Sequence, residues 1–332
     1  MKHLLLLTSI LLLTLAGCKG DQATTKEPAP SGPAPAKIKI PKFNQDSAYA
    51  YVEKQLSFGT RVPGSPGHQA QLQWMVDVLE GRGAKVYQQD FEAQFFDEPA
   101  VTATNVIAAF NPKASKRWIL AAHWDTRLVA EKDPDEAKQD KPIMGADDGA
   151  SGVAVLMEIA RLLEANPLDM GVDLIFFDAE DNGNQGDDLS WCLGSQYWSK
   201  KPHINNYDAE GGILVDLVGA KNNTYGYDRI SQAYAPSLQN AVWRLARGMG
   251  NTDLFKEYQV EVLDDHYFVN HYAKIPMIDI IGTPSYGEGS VFGPHHHTHD
   301  DDLAVIDPRV LKVTGQVVTA VTYKFSEGSF VF

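Results

Sequence analysis

Three short, almost wholly apolar segments, at residues 172–177, 212–217 and 275–281, constrain this chain more than any other feature. Each is about one strand long and lacks the alternation of a strand with one wet face, so each reads as a strand buried on both sides. Such strands need helices over both faces of their sheet, and helical spacing is present between them. Leu72, Met75, Val76 and Leu79 follow a Ser65-Pro66 start signal and point to a helix ending near Gly81 or Gly83. Val155, Leu156, Ile159, Leu162 and Leu163 share one helical face within residues 152–165. Strand-like runs at 85–95, 101–110 and 117–122, and helical runs at 235–249 and 308–325, complete an alternating pattern without internal repeats. The expectation is an α/β fold, a three-layer α/β/α sandwich around a central mixed, mostly parallel sheet.

The first residues carry a different message. Met1, Lys2 and His3 precede an apolar run from Leu4 to Leu15, too short for a membrane-spanning helix, and then Leu15-Ala16-Gly17-Cys18. These are the parts of a secretory signal over residues 1–18. Its last four residues resemble a bacterial lipobox, in which Cys18 becomes the acylated first residue and the lipid attachment point; an ordinary signal peptide with an incidental cysteine is the alternative. Residues 19–42, with Pro28, Pro30, Pro33 and Pro35 among alanines, hold too little apolar content for a core and read as a flexible tether. Residues 43–332 contain no second linker of that kind and are expected to form one domain. The expected protein is therefore exported, periplasmic or at the outer-membrane face, and touches membrane only through its anchor.

Only Cys192 remains after Cys18, so no internal disulfide is available and stability must come from packing. With 29 Lys and Arg against 43 Asp and Glu, a formal charge of -14 argues against a nucleic-acid partner.

Most of the unusual polar residues fall at the ends of the expected strands: His123 and Asp125, Glu180 and Asp181, and Asp216. Open α/β sheets bind ligands at the carboxyl ends of their strands, so these side chains should converge. The loop Gly145-Ala146-Asp147-Asp148-Gly149-Ala150-Ser151-Gly152 delivers a carboxylate just ahead of a helix. Two adjacent acids, Glu180 and Asp181, repel unless a cation lies between them or one is protonated, and a metal ligand beside a general base explains both. His295-His296-His297-Thr298-His299 runs into three aspartates and fits a source of zinc ligands. Taken singly, His123 fits a half-buried structural histidine, Asp148 an N-cap, the acid pair a solvated loop, and the histidine run an exposed loop. Taken together they fit a catalytic metal site.

Five features, His-x-Asp, Gly-Ala-Asp-Asp-x-Ala-Ser-Gly, an acidic pair, a strand-end Asp and a final His-Thr, resemble the zinc aminopeptidase superfamily in kind and order. Within it, Phe58-Gly59-Thr60-Arg61-Val62-Pro63-Gly64-Ser65-Pro66-Gly67, Asp216-Leu217-Val218-Gly219-Ala220 and Asp264-Asp265-His266 resemble the glutaminyl cyclases. The resemblance implies an acyltransferase that cyclises the N-terminal glutamine of peptides and proteins to pyroglutamate, releasing ammonia. It implies one zinc held by Asp148, Asp181 and His297, with Glu180 as proton shuttle and Asp216 and Asp264 in an acidic network around it. It further implies a cis peptide after Asp148. Trp191 is the expected substrate-binding wall, with Trp124 a second candidate, and a monomer is the expected state.

Three departures from the animal enzymes bear on specificity. Asp181 stands where they carry Glu, His296 where they carry Trp, and their cysteine pair near the zinc loop is absent. An alternative activity is a di-zinc aminopeptidase, with the second zinc on His123 and Asp216 and Asp148 bridging; a non-catalytic peptide-binding lipoprotein is a third reading.

Overall fold

The computed structural model describes residues 39–95, 99–284 and 290–332. The export signal, Cys18 and most of the tether lie outside the described residues. Packing reaches slightly before residue 43, because Gln316 Nε2 donates to the Pro41 carbonyl (3.1 Å) and Phe43 N donates back to Gln316 Oε1 (3.0 Å).

The main elements are α1 (Gln45–Leu56), α2 (Pro66–Gly81), β1 (Lys85–Ala93), β2 (Val101–Phe110), β3 (Arg117–His123), α3 (Ala150–Ala165), β4 (Gly171–Phe177), α4 (Leu193–Lys200), β5 (Gly212–Asp216), β6 (Tyr225–Asp228), α5 (Arg229–Tyr234), α6 (Pro236–Gly248), β7 (Phe255–Val260), α7 (Asp265–Phe268), β8 (Met277–Ile281) and α8 (Pro308–Ser326). The sheet of six strands runs β1-β2-β4-β3-β5-β8. β1, β2 and β4 pair antiparallel, whereas β4, β3, β5 and β8 pair parallel, so the sheet is mixed with its centre parallel. A separate parallel pair, β6 and β7, stands outside it.

Residues of the central strands alternate between two apolar cores, which is why both faces read as apolar in the sequence. Trp118, Leu120 and Ala122 of β3 pack with Val52 of α1, Leu156 of α3 and Val317 of α8. Ile119 and Ala121 point to the opposite side, where Trp198 of α4 and Val269 lie. The three-layer α/β/α expectation is met. Asp173, the one acid inside the buried β4 run, is neutralised by Arg117 through Nε (2.6 Å) and Nη2 (2.5 Å) and accepts from Tyr207 Oη (2.5 Å). A buried charge held in this way keeps its hydrogen-bond capacity filled.

Helix starts follow the local signals. Ser65 caps α2 through a bond from His68 N, with Pro66 in the first turn, and Asp307 followed by Pro308 does the same for α8. Helices α1, α4, α5 and α7 and strands β6 and β7 have no counterpart among the expected elements. In α1 the buried face is only Ala48, Val52 and Gln55, too small and too polar to stand out as periodicity.

Candidate active site

The parallel strands β3, β4 and β5 end on the same edge of the sheet, and their last residues meet there. His123 closes β3 and Asp216 closes β5, with His123 Nε2 3.1 Å from Asp216 Oδ1 and 3.0 Å from Asp148 Oδ1. Glu180 and Asp181 lie in the turn after β4. Asp125, fully buried, holds that turn: it accepts from Glu180 N (3.0 Å), Asp181 N (3.3 Å) and Asn182 Nδ2 (3.2 Å). Its carboxylate is also 3.5 Å from His123 Nδ1, an ion-pair distance without hydrogen-bond geometry. The Asp of the His-x-Asp motif thus anchors the acidic pair more directly than it orients the imidazole.

Asp148 precedes α3, whose N-cap is Gly149 without a side-chain bond, so the Asp148 carboxylate does not cap the helix. The Asp148–Gly149 peptide is cis, as the resemblance implied. Asp301 positions this loop by accepting from Asp147 N (2.8 Å) and Asp148 N (3.1 Å). Arg61, fully buried, donates to the Met144 carbonyl and, at 2.8 Å, to the Gly145 carbonyl. Gly149 is required here, since a Cβ would stand 2.5 Å from His123 Nε2.

Of the residues expected to hold zinc, His297 Nε2 is 3.1 Å from Asp181 Oδ1 and 3.8 Å from Asp148 Oδ2. All three side chains are buried. His296 joins them, its Nε2 3.9 Å from Asp148 Oδ2 and its ring stacked on His297 at 3.7 Å. Asp181 Oδ2 is buried with no hydrogen-bond partner, an expensive state for a carboxylate that a bound cation relieves. Two carboxylates and an imidazole converging on one point, with a cleft beside them, suit a tetrahedral divalent ion with an open position. A second group, His123, Asp148 and Asp216, also has ligand atoms within 4.8 Å of one another. The other histidines of the run are occupied elsewhere: His295 Nε2 is 3.0 Å from Asp147 Oδ2, and His299 Nδ1 is 2.8 Å from Asp133 Oδ2. The expectation of the whole run as a ligand source narrows to His297 and its neighbour His296.

Behind the cluster lies a concentration of buried acid. Glu180, 13 % exposed at its side chain, has its carboxylate within 4.8 Å of the Cys192 thiol and Asp264. Cys192 Sγ donates to Glu180 Oε1 (3.3 Å), and Cys192 N donates to the Glu180 carbonyl (2.9 Å). Burial pushes the Glu180 carboxyl well above its ordinary value; His123 opposes this, and the charges of Asp264 and Asp181 reinforce it. Burial likewise lifts Asp216 to about 8 against the pull of His123, and raises Asp264. It lifts Asp181 to about 6, with Asp148 adding repulsion and His297 opposing. Burial alone would lower His123, but Asp216, Asp125 and Asp148 raise it well above the usual imidazole value. Acids poised in this way take up and release protons near neutral pH.

Asp148, Glu180, Asp181, Asp216, Asp264 and His297 face a cleft of about 280 Å³ lined also by Trp191, Phe292, Leu217 and Lys132. Trp191 stands on its wall, stacked at 6.3 Å from His297, with its Nε1 donating to the Asn184 carbonyl (3.1 Å). Trp124 does not. It is fully buried, stacks on His68 at 4.2 Å and donates to the Thr104 carbonyl (3.2 Å), so the aromatic next to His123 is core and not wall. Sequence reasoning missed Arg61, Arg127, Glu131, Cys192 and Asp301, each of which touches the site through hydrogen bonds. Arg61 lies within the 58–67 motif and Asp301 within the aspartate run after the histidines, but nothing in the sequence pairs any of the five with its partner, 12 to 166 residues away.

Comparison with known proteins bears on this geometry. Residues 105–322 match Peptidase family M28. A glutaminyl cyclase of Porphyromonas gingivalis is 45 % identical and superposes with a TM-score of 0.81 over 84 % of this chain and 97 % of its own. A Zn-dependent exopeptidase from Parabacteroides distasonis is 42 % identical, with a TM-score of 0.83 over 86 % and 99 % of the two chains. A glutaminyl-peptide cyclotransferase of Drosophila melanogaster is 24 % identical over 274 residues, 74 % of this chain and 72 % of its own.

Proposed function

The chain belongs to peptidase family M28, and from that premise we propose that it is a glutaminyl-peptide cyclotransferase, converting the N-terminal glutamine of peptides and proteins to pyroglutamate. The observation that carries the reading is Glu180, a half-buried carboxyl of raised pKa beside Asp264, in the same cleft as Asp148, Asp181 and His297. The 45 % identity to a glutaminyl cyclase over nearly the whole of that protein supports it.

In the reaction the α-amine of the substrate attacks its own γ-carbonyl carbon. A new bond from that carbon to the α-nitrogen closes a five-membered ring, the bond from the same carbon to the amide nitrogen breaks, and one proton passes from the amine to the departing nitrogen, which leaves as ammonia. A zinc ion held by Asp148, Asp181 and His297 would supply Lewis-acid polarisation of the γ-carbonyl. Glu180 takes the proton from the attacking amine and returns it to the leaving nitrogen, a role suited to a carboxyl whose proton affinity is raised above the ordinary carboxyl range. The charge of Asp264 helps keep the Glu180 proton affinity high, and Asp216, which lines the same cleft, completes the acidic network. Trp191, Leu217 and Phe292 shape the cleft so that the glutamine side chain is folded back toward its amine with little water present.

A second reading, a di-zinc aminopeptidase, is favoured by the His123, Asp148 and Asp216 group. Zinc per protein molecule, measured while an N-terminal Gln peptide and an N-terminal Leu peptide are offered, separates the two. One zinc with ammonia and pyroglutamyl product from the Gln peptide is expected, and two zincs with release of Leu would sink the cyclase reading. The order of basic start, apolar run and Leu15-Ala16-Gly17-Cys18 supports export with a lipid on Cys18. A Cys18→Ala variant that stays as firmly membrane-associated as the wild type would overturn that anchor.

A further inference from the structure

Residues 127–133 form a strap that ties together the two loops expected to bear metal ligands, and none of its residues belongs to a motif. Glu131 is at its centre. Its Oε1 is 2.6 Å from His297 Nδ1, the ring nitrogen away from Asp181 and Asp148, while its Oε2 accepts from Arg127 Nε at 2.7 Å. Arg127, itself buried, extends this line of contacts: Nη1 donates to the Asp181 carbonyl, Nη2 reaches the Gly183 carbonyl at 3.5 Å, and its guanidinium lies 4.8 Å over the Trp191 ring. Further bonds from residues 128 and 132 bind the strap to the same loops. Leu128 N donates to Asn182 Oδ1 (2.7 Å), Lys132 N to the His297 carbonyl (3.3 Å), and Lys132 Nζ to His296 Nδ1 (2.7 Å).

We propose that Glu131 and Arg127 act as one positioning unit for the metal centre, Glu131 fixing the tautomer and ring angle of His297 and Arg127 locking Glu131 to the backbone of Asp181. A carboxylate that accepts the outer N–H of an imidazole leaves the inner nitrogen unprotonated and makes it a stronger ligand. Here the same carboxylate is held by a guanidinium, whose planar fork bonds Glu131 and the Asp181 carbonyl at once, a geometry that Lys cannot reproduce. The strap therefore couples one expected ligand, His297, to another, Asp181, and both to the Trp191 wall.

This inference rests on the assignment of His297 and Asp181 to a zinc site, and zinc affinity tests it directly. Zinc dissociation constants of the full-length protein are measured by competition with a chromophoric chelator, and folding of each metal-free variant is checked by thermal melting. Glu131→Ala is expected to weaken zinc binding about 10- to 100-fold, Glu131→Gln by less because it keeps an acceptor oxygen. If Arg127 works through Glu131, the double variant Glu131→Ala with Arg127→Met loses little beyond the Glu131→Ala loss. A Glu131→Ala protein with wild-type zinc affinity would overturn the role of Glu131, and fully additive losses would overturn the unit. Should the Ala variant fail to fold, the near-isosteric Gln variant is judged by the same criterion, unchanged affinity refuting the role. A wild type that takes up no zinc would instead remove the metal site itself, a result distinct from the others.

Discussion

Asp125→Ala probes how the catalytic turn is held. The Asp125 carboxylate is fully buried and receives the two backbone N–H groups of Glu180 and Asp181, at 3.0 and 3.3 Å, and the Asn182 side chain at 3.2 Å. Asn182 Nδ2 also donates to the Thr126 carbonyl (3.1 Å), so its loss counts for little. The two backbone donors have no such second partner among the described hydrogen bonds. Hydrogen bonds to a charged group contribute about 1.5–3 kcal/mol each, and an orphaned buried donor costs about as much, so two of them bound the loss at roughly 3–6 kcal/mol. Removing a buried charge offsets part of this, and a water can enter the space left by the carboxylate, which brings the expected destabilisation to about 3 kcal/mol. Asp125→Asn keeps one acceptor oxygen and should lose about half of that. The measurement is equilibrium urea unfolding of the metal-free proteins, paired with kcat for an N-terminal Gln peptide after zinc is restored. Because Glu180 is carried on the same turn, a shift of about 1 Å should also lower kcat on the order of 100-fold. An Asp125→Ala protein destabilised by less than about 1 kcal/mol, with unchanged kcat, would refute the claim that this carboxylate anchors the turn.

Glu180→Gln should retain zinc and bind the Gln peptide with similar KM while kcat falls by about 100- to 10,000-fold, read by ammonia release. The pH profile of the wild type carries the same sign: Glu180 must be ionised to accept the proton, and burial raises its pKa, so kcat falls as pH is lowered through a value above the ordinary carboxyl range. An acid limb at or below that range would contradict the assignment. His203 governs a different pH effect. Burial lowers its pKa to about 4, and Trp198 Nε1 donates to its Nδ1 at 3.2 Å, which requires the unprotonated ring. The folded state binds the proton less tightly than the unfolded one, so stability is complete above the ordinary imidazole pKa and declines as pH falls through it toward 4, by about 2 kcal/mol. His203→Gln should lack that slope when urea midpoints are compared between about pH 7.5 and about pH 4.5. Gly194→Ala places a Cβ 2.2 Å from the Asp178 carbonyl and 2.4 Å from Asn105 Oδ1. Both neighbours are fixed in the β2 and β4 region, so a loss of about 3 kcal/mol is expected, and a variant melting at the wild-type temperature would show that α4 can shift freely.

The layered fold was legible because burial on both faces leaves a plain mark. Residues 212–217 and 275–281 read as doubly buried strands, and β5 and β8 fall within them with every residue buried. Less buried elements left a weaker mark: β7 is buried only at its two end residues, Phe255 and Val260, and α1 buries small and polar side chains. Trp124 shows the limit in the other direction. Its place beside His123 suggested a cleft wall, but side chains on successive strand-end residues point to opposite sides, and Trp124 turns into the core against His68.

By itself, the sequence determined the strand ends and the acids and histidine carried on them, and hence that His123, Asp125, Glu180, Asp181 and Asp216 would gather on one edge of a parallel sheet, while Asp148 and His297 were joined to them by the family resemblance. It did so because strand direction and burial are local properties, written in runs of about six or seven residues. Only the tertiary structure decided which of four neighbouring histidines face the cleft, that Asp125 serves the turn at 180–182, and that Glu131 and Arg127 reach the ligands from a strap outside every motif. Those contacts join residues 54 to 166 positions apart. Their strength depends on distances of a few tenths of an ångström, which no spacing along the sequence encodes.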